Sequence, residues 1–177
     1  LLLARGDARQ IVTQKQRWLV GDIISEFSKD WEAIASLRHQ TIKLSPCPLL
    51  YVQGDKNLLS QLFLNIITNA SKYSPPDSVI EIETRGATLS TKSYVKITVQ
   101  DHGIGIPPED VPKIFERFYR VNKDRARESG GTGLGLAIVR MIVELHNGKI
   151  ELTSEKGVGT TVTIYLPDSS ITESEPA

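Results

Sequence analysis

A chain of 177 residues is long enough for one domain with a buried core and a short appendage at either end. Its 21 basic and 21 acidic residues leave no formal net charge, so no global field favours nucleic acid or an acidic membrane surface. The single cysteine, Cys47, excludes an internal disulfide, and no apolar run approaches the ~20 residues that a spanning helix requires.

Taken in chain order, Leu1-Leu2-Leu3-Ala4-Arg5-Gly6-Asp7 reads as the last turn or two of a helix stopped by glycine. The start at Leu1 rather than methionine points to a piece of a longer protein, with any membrane segment lying upstream. Trp18 to Leu37 places Leu19, Ile23, Ile24, Phe27, Trp31, Ile34 and Leu37 at a helical period, with His39 following Arg38 at its end. The β-like Thr41-Ile42-Lys43-Leu44 comes next; Pro46 and Pro48 break regular structure, and Leu49 to Val52 reads as a short strand. Asp55 is the expected N-cap of a helix that runs to Tyr73 and is stopped by Pro75-Pro76.

Strands are expected at Val79 to Thr84 and Tyr94 to Asp101, around a polar turn. Pro107 to Gly131 has little regular period, and a connection of that length in a compact domain is a functional lid or a linker. Gly133 to His146 reads as a mostly buried helix closed by Asn147-Gly148, and Lys149 to Thr153 with Gly159 to Leu166 as a hairpin. The Ser, Glu and Asp tail after Pro167 has nothing to bury and is expected to be disordered. Strands and helices alternate only in part, so the expected class is α/β, a mixed sheet covered by helices on one face.

Four segments carry chemistry. In the helix after Asp55, Leu59, Leu62, Phe63, Ile66 and Ala70 form one stripe, and Gln61, Asn65, Asn69 and Lys72 form a neighbouring one. That polar stripe is either a solvated face or the rim of a pocket, where an amide oxygen serves Mg²⁺ and a lysine an anionic oxygen. Alternation in the strand before Asp101 sends Val95, Ile97 and Val99 to one side, and Asp101 continues it. A carboxylate aimed inward needs donors, and a ligand's amino group is one such donor; the alternative is an aspartate that only opens a glycine turn. Gly103 and Gly105 then permit positive φ and a flat ring close to the backbone.

Gly130-Gly131-Thr132-Gly133-Leu134-Gly135 leads into a helix, whose free N–H groups suit a phosphate; a flexible hinge is the other reading. It is neither a Walker loop nor a dinucleotide fingerprint. Between the glycine motifs, Phe115-Glu116-Arg117-Phe118-Tyr119-Arg120 alternates aromatic anchors with cations, and Lys123, Arg125 and Arg127 add charge, as a lid over phosphates would. His39, His102 and His146 have no nucleophile or metal-ligand setting; His146 lies at a helix end, where a cation is favourable.

Together these segments resemble the catalytic, ATP-binding domain of sensor histidine kinases, in the superfamily that also holds type II topoisomerases, Hsp90 chaperones and MutL proteins. Leu64 to Pro75 resembles the N box, Asp101 to Ile106 the G1 box, Phe115 to Arg120 the F box, and Gly131 to Leu136 the G2 box. The resemblance implies a two-layer sandwich of about five strands under about three helices, with a long ATP lid. It divides the chain into residues 1–10, the end of a dimerisation and phosphoacceptor helix with its linker, residues 11–167, the catalytic domain, and a tail at 168–177.

ATP and Mg²⁺ are the implied ligands. Asp101 would accept the adenine amino group, with Tyr73, Gly103, Gly105 and Ile106 around the ring. Asn69 would hold Mg²⁺, and Asn65 and Lys72 would support the phosphates. Thr132, Leu134 and Leu136 belong to the G2 segment, in which Gly131, Gly133 and Gly135 let lid and helix start wrap the triphosphate; Phe118, Arg117 and Arg120 come from the lid. In the ATP-hydrolysing relatives a glutamate stands at the place of Asn65 and activates water; an amide is no general base, so phosphotransfer is favoured over hydrolysis. The acceptor histidine is expected on the protein's own dimerisation domain in a homodimer, because His39-Gln40-Thr41-Ile42 departs from the acceptor motif. A response regulator is the implied partner, nucleic acid is not, membrane contact would come through missing regions, and the expected location is cytoplasmic. A regulatory module that binds ATP without phosphotransfer is the alternative.

Overall fold

The computed structural model describes residues 12–121 and 132–170. In chain order they form β1 (Gln16–Leu19), α1 (Val20–Ser36), β2 (Thr41–Leu44), β3 (Tyr51–Gly54), α2 (Lys56–Tyr73), β4 (Val79–Leu89), β5 (Lys92–Asp101), α3 (Gly135–Leu145), β6 (Lys149–Glu155) and β7 (Gly159–Pro167), with one 3-10 turn at Val111–Lys113. Five strands make a mixed sheet in the order β2-β4-β5-β7-β6, in which only β2 and β4 run parallel. The α/β class expected from the sequence is the class observed.

Alternation builds the two layers. Ile80 and Ile82 of β4, Val95, Ile97 and Val99 of β5, and Val162, Ile164 and Leu166 of β7 are buried in one apolar cluster with α1, α2 and α3. Each such side chain contributes about 1.5–3 kcal/mol by leaving water. Under the sheet's β2 side, Phe27 and Trp31 of α1 meet Phe63 of α2, with the Trp31 and Phe63 ring centroids 5.4 Å apart. The helix α2 therefore lies between α1 and α3 on one face of the sheet, and its polar stripe is left at the core's border.

Helix α2 begins where expected: the Asp55 carboxylate accepts from the Asn57 and Leu58 N–H groups. Helix α1 begins later than its periodicity implied. Trp18 and Leu19 belong to β1, which pairs antiparallel with β3, and the Trp18 indole donates to the Gly54 carbonyl at 2.9 Å. A distant strand offering backbone partners outweighed a local helical period. His39 likewise lies past the helix, at φ 58.

The polar turn between β4 and β5 is shorter than expected. The pairing runs on to Leu89 and Lys92, with Ser90 at φ 57 at the tip. At the other end, Asp168 bridges Val52 and the Ser169 N–H donates to the Tyr51 carbonyl, so residues assigned to the tail up to Ser170 pack against β3. Residues 1–11 and 171–177 lie outside the described part, and with them the expected helix end at 1–10.

Candidate nucleotide site

At the end of β5, Asp101 follows Val95, Ile97 and Val99 on the helix-covered face. Its Oδ1 accepts from the Gly103 N–H at 2.9 Å and the Thr160 N–H at 3.2 Å, whereas Oδ2 bonds to none of the described residues. Burial pushes this carboxyl upward in pKa, against the pull of the two N–H donors. The turn beyond it is wedged on both sides. A Cβ on Gly103 would stand 2.5 Å from the Tyr73 carbonyl oxygen, and the Ile104 N–H donates to that same oxygen at 3.1 Å. Gly105 has φ 65, and a Cβ there would run into the Glu155 carbonyl. On the β6–β7 side, Ile104 accepts from the Gly157 N–H at 2.8 Å and the Ile106 N–H donates to the Ser154 hydroxyl at 2.8 Å.

The other end of the site lies along α2. Leu59, Leu62, Phe63, Ile66 and Ala70 are buried, while Gln61, Asn65, Asn69 and Lys72 are half-buried, as the two-stripe reading requires. The Asn65 side-chain amide donates to the Gln61 carbonyl at 2.8 Å, which leaves its Oδ1 turned toward α3. A Cβ on Gly135 would lie 3.2 Å from that Oδ1 and 3.7 Å from the Asn69 Nδ2. The start of α3 thus abuts both asparagines. Among the described residues no side chain caps that start at Leu134, which leaves its first N–H groups facing the site as donors for an anion. Asn65 and Tyr73 stand eight residues apart on α2, about 12 Å at 1.5 Å per residue, so this helix spans from the uncapped end of α3 to the Asp101 turn.

The lid's two described ends are pinned together. The Phe118 N–H donates to the Gly133 carbonyl at 2.9 Å, with Phe118 at φ 65 and Gly133 at φ 70. The Tyr119 hydroxyl donates to the Asp110 carboxylate at 2.5 Å, and this bond is the main reason that the phenol is pushed up to about 12. Phe118 is 72% exposed and does not anchor the lid as its sequence setting suggested; Ile114 is the buried side chain there, and Phe115 is half-buried. Arg117 and Thr132 are exposed, and Arg120, Leu134 and Leu136 half-buried. Gly131, Lys123, Arg125 and Arg127 lie outside the described residues. Lys72 places its ammonium 5.3 Å from the Tyr73 ring centroid, at the end of α2 nearest the Asp101 turn.

His146 corrects another expectation. It is 3% exposed, and burial pulls its imidazole below the ordinary pKa, so it is neutral and not a cation at the helix terminus. Nδ1 lies 2.7 Å from the Ile142 carbonyl and donates to it, which leaves Nε2 to accept the Asp55 N–H at 3.0 Å. The end of α3 is thereby tied to the start of α2. Ser154 and Thr160 join the site through the Ile106 N–H and the Asp101 Oδ1, and in the sequence only the glycines of their hairpin mark that neighbourhood.

A family profile described as "Histidine kinase-, DNA gyrase B-, and HSP90-like ATPase" matches residues 54–170. The chain belongs to this family. It is 35% identical over 179 residues to the Phosphate regulon sensor protein PhoR of Pseudomonas aeruginosa, covering 99% of the chain and 39% of that protein. It is 48% identical over 122 residues to the Sensor protein kinase WalK of Staphylococcus saprophyticus, covering 69% of the chain and 20% of that protein. The chain thus spans well under half the length of these relatives. A solved structure described as "Crystal structure of ShkA full-length in complex with AMPPNP" shares the fold with a TM-score of 0.73 at 24% identity, over 89% of this chain and 32% of that one. The matched region of the family holds every site residue named above, from Asn65 to Leu136, together with the Ser154 and Thr160 hairpin.

Proposed function

We propose that the chain binds ATP with Mg²⁺ and donates the γ-phosphoryl group to a histidine on a separate dimerisation domain. It is the catalytic part of a two-component sensor kinase, homodimeric through that domain and serving a response regulator. We assign residues 1–10 to the end of that dimerisation and phosphoacceptor region and its linker. The observation that carries this reading is Asp101: Oδ1 is engaged by two backbone N–H groups and Oδ2 is open to a ligand. Adenine presents an amino donor to such an oxygen; guanine presents a carbonyl at the corresponding ring position. The AMPPNP held by ShkA supports the same ligand class.

Around that anchor, Gly103, Gly105 and Ile106 let the ring approach the backbone, and Tyr73 lines it. Asn65, Lys72 and the uncapped start of α3, with Thr132, Gly133, Leu134, Gly135 and Leu136, orient the phosphates. Gly131, Phe118 and Arg120 complete the lid. The Asn69 amide oxygen suits Mg²⁺, and no group of three or more His, Cys, Asp or Glu could hold a metal among the described residues. Phosphate oxygens and water would therefore supply most of the ion's ligands. When bound, the ion neutralises charge on the β- and γ-oxygens.

The unprotonated nitrogen of the acceptor imidazole forms the N–P bond as the bond from the γ-phosphorus to the bridging oxygen breaks. ADP leaves with that electron pair. Asn65 has no basic lone pair with which to activate water, so the site positions and neutralises rather than hydrolyses.

The test is isothermal titration of the chain with Mg-ATP, followed by γ-labelled ATP and a purified phosphoacceptor domain. Binding, and label on an acid-labile phosphohistidine, are expected. Binding without transfer would leave the regulatory module, and no binding would overturn the pocket.

A further inference from the structure

Helix α2 ends at Tyr73, and its exit is Ser74-Pro75-Pro76. The last carbonyls of a helix are ordinarily met by N–H groups of the two residues beyond the cap, and prolines have none. Donors come instead from the loop between α1 and β2. Gln40, 6% exposed, sends its Nε2 to the carbonyls of Ser71 at 3.0 Å, Ser74 at 3.3 Å and Pro75 at 3.0 Å. Its Oε1 accepts from the Ser71 hydroxyl at 2.6 Å. Arg38 adds two more donors, to the carbonyls of Lys72 at 3.3 Å and Ser74 at 3.2 Å, and its own carbonyl accepts from the Asp77 N–H. Between them, His39 at φ 58 turns the chain.

We propose that Gln40, assisted by Arg38, is a positioning residue for the adenine side of the nucleotide site. The inference rests on the ATP reading above. Gln40 acts through α2, because among the described residues its side-chain bonds all go to that helix's last turn and exit. The carbonyl of Tyr73, held between the Lys72 and Ser74 carbonyls that Arg38 engages, accepts the Ile104 N–H and backs Gly103. Gly103 in turn donates to the Oδ1 of Asp101. Loosening the end of α2 therefore releases the turn that aims the adenine-binding carboxylate. Where the competent arrangement is populated one part in ten, apparent affinity falls about tenfold.

The experiment compares Gln40→Met, which keeps the volume and removes the donors, with Gln40→Glu, which also keeps an acceptor for the Ser71 hydroxyl. Mg-ATP affinity and amide hydrogen exchange are measured on the 177-residue chain. Both variants should weaken Mg-ATP by about tenfold and speed exchange at Ile104, while the amide of Ile97 in the sheet keeps its protection. Arg38→Met, at a half-buried position, serves should both Gln40 variants fail to fold; it should show the same pattern to a smaller extent. A folded variant with Mg-ATP affinity and Ile104 exchange like the parent's would overturn the proposal, as would parent-like behaviour of Gln40→Glu. A parent chain that does not bind Mg-ATP would sink the ATP reading instead, and unchanged Ile104 exchange would then refute the positioning link by itself.

Discussion

Changing Asp101 to Asn separates the ligand role of this residue from its structural one. The Asn Oδ1 can keep both N–H bonds, from Gly103 at 2.9 Å and Thr160 at 3.2 Å. Its NH₂ then replaces the Oδ2 of the carboxylate and faces the adenine amino group, donor against donor. A hydrogen bond to a charged group is worth about 1.5–3 kcal/mol, so Mg-ATP affinity should fall between ~10-fold and ~150-fold. Stability should move the other way. Burial raises the folded pKa of Asp101, and such a group favours the fold while protonated. That contribution is complete below the unfolded value of about 3.9 and is lost as pH rises through the folded value. At neutral pH the parent bears the cost of a partly buried charge and the amide does not. Isothermal titration and thermal unfolding at pH 7 read both effects: the variant should unfold no earlier than the parent and bind far more weakly. Affinity within threefold of the parent would refute the assignment of the pocket, and an earlier-unfolding variant would refute the bonding pattern at Oδ1.

Two glycines of the same region should behave differently. Gly105 and Gly157 both have positive φ, 65 and 83, so alanine costs about 1–2 kcal/mol at either. At Gly105 the new Cβ meets the Glu155 backbone, whereas no atom of the described residues lies within 4 Å of one at Gly157. Gly105→Ala should therefore lower Tm further, at about 2–4 °C per kcal/mol for a chain of this size, and weaken Mg-ATP; Gly157→Ala should leave affinity unchanged. Equal Tm shifts would show that the close approach does not matter. His146 supplies a pH dependence: its folded pKa lies below the unfolded value of about 6.5, so the unfolded chain binds more protons between the two. Stability should fall as pH drops below about 6.5 and stop falling once the folded pKa is passed. The difference in Tm between the parent and His146→Gln, followed from neutral to mildly acid pH, should change with this sign, and a flat difference would remove the neutral imidazole from the account.

Much of the site could be read directly because its signals are local. Asp55 caps α2 by contacts two and three residues ahead, and the stripes of Leu59 to Ala70 and Asn65 to Lys72 follow from the helical period. The inward aim of Asp101 follows from counting along one strand. Gly133 and Gly135 marked a phosphate-binding helix start or a hinge, and the structure supplies their neighbours: Phe118 for one, Asn65 and Asn69 for the other. Where the reading failed, the partner lay far along the chain. Trp18 pairs with Val52, His146 meets Asp55, and Gln40 meets Ser71, none of which has a periodic signature.

Residue type and order alone determined the layered α/β class, the helix that carries the polar stripe, and the carboxylate and glycines available to a nucleotide. Periodicity is a property of short windows, and those choices are made within them. Tertiary structure decided which oxygen of Asp101 stays open, that Phe118 points to solvent, that His146 is neutral, and that Gln40 supplies donors two prolines cannot. Each depends on a hydrogen bond or on burial against a segment tens of residues away, and a polar group's state is set by what surrounds it once the chain has closed.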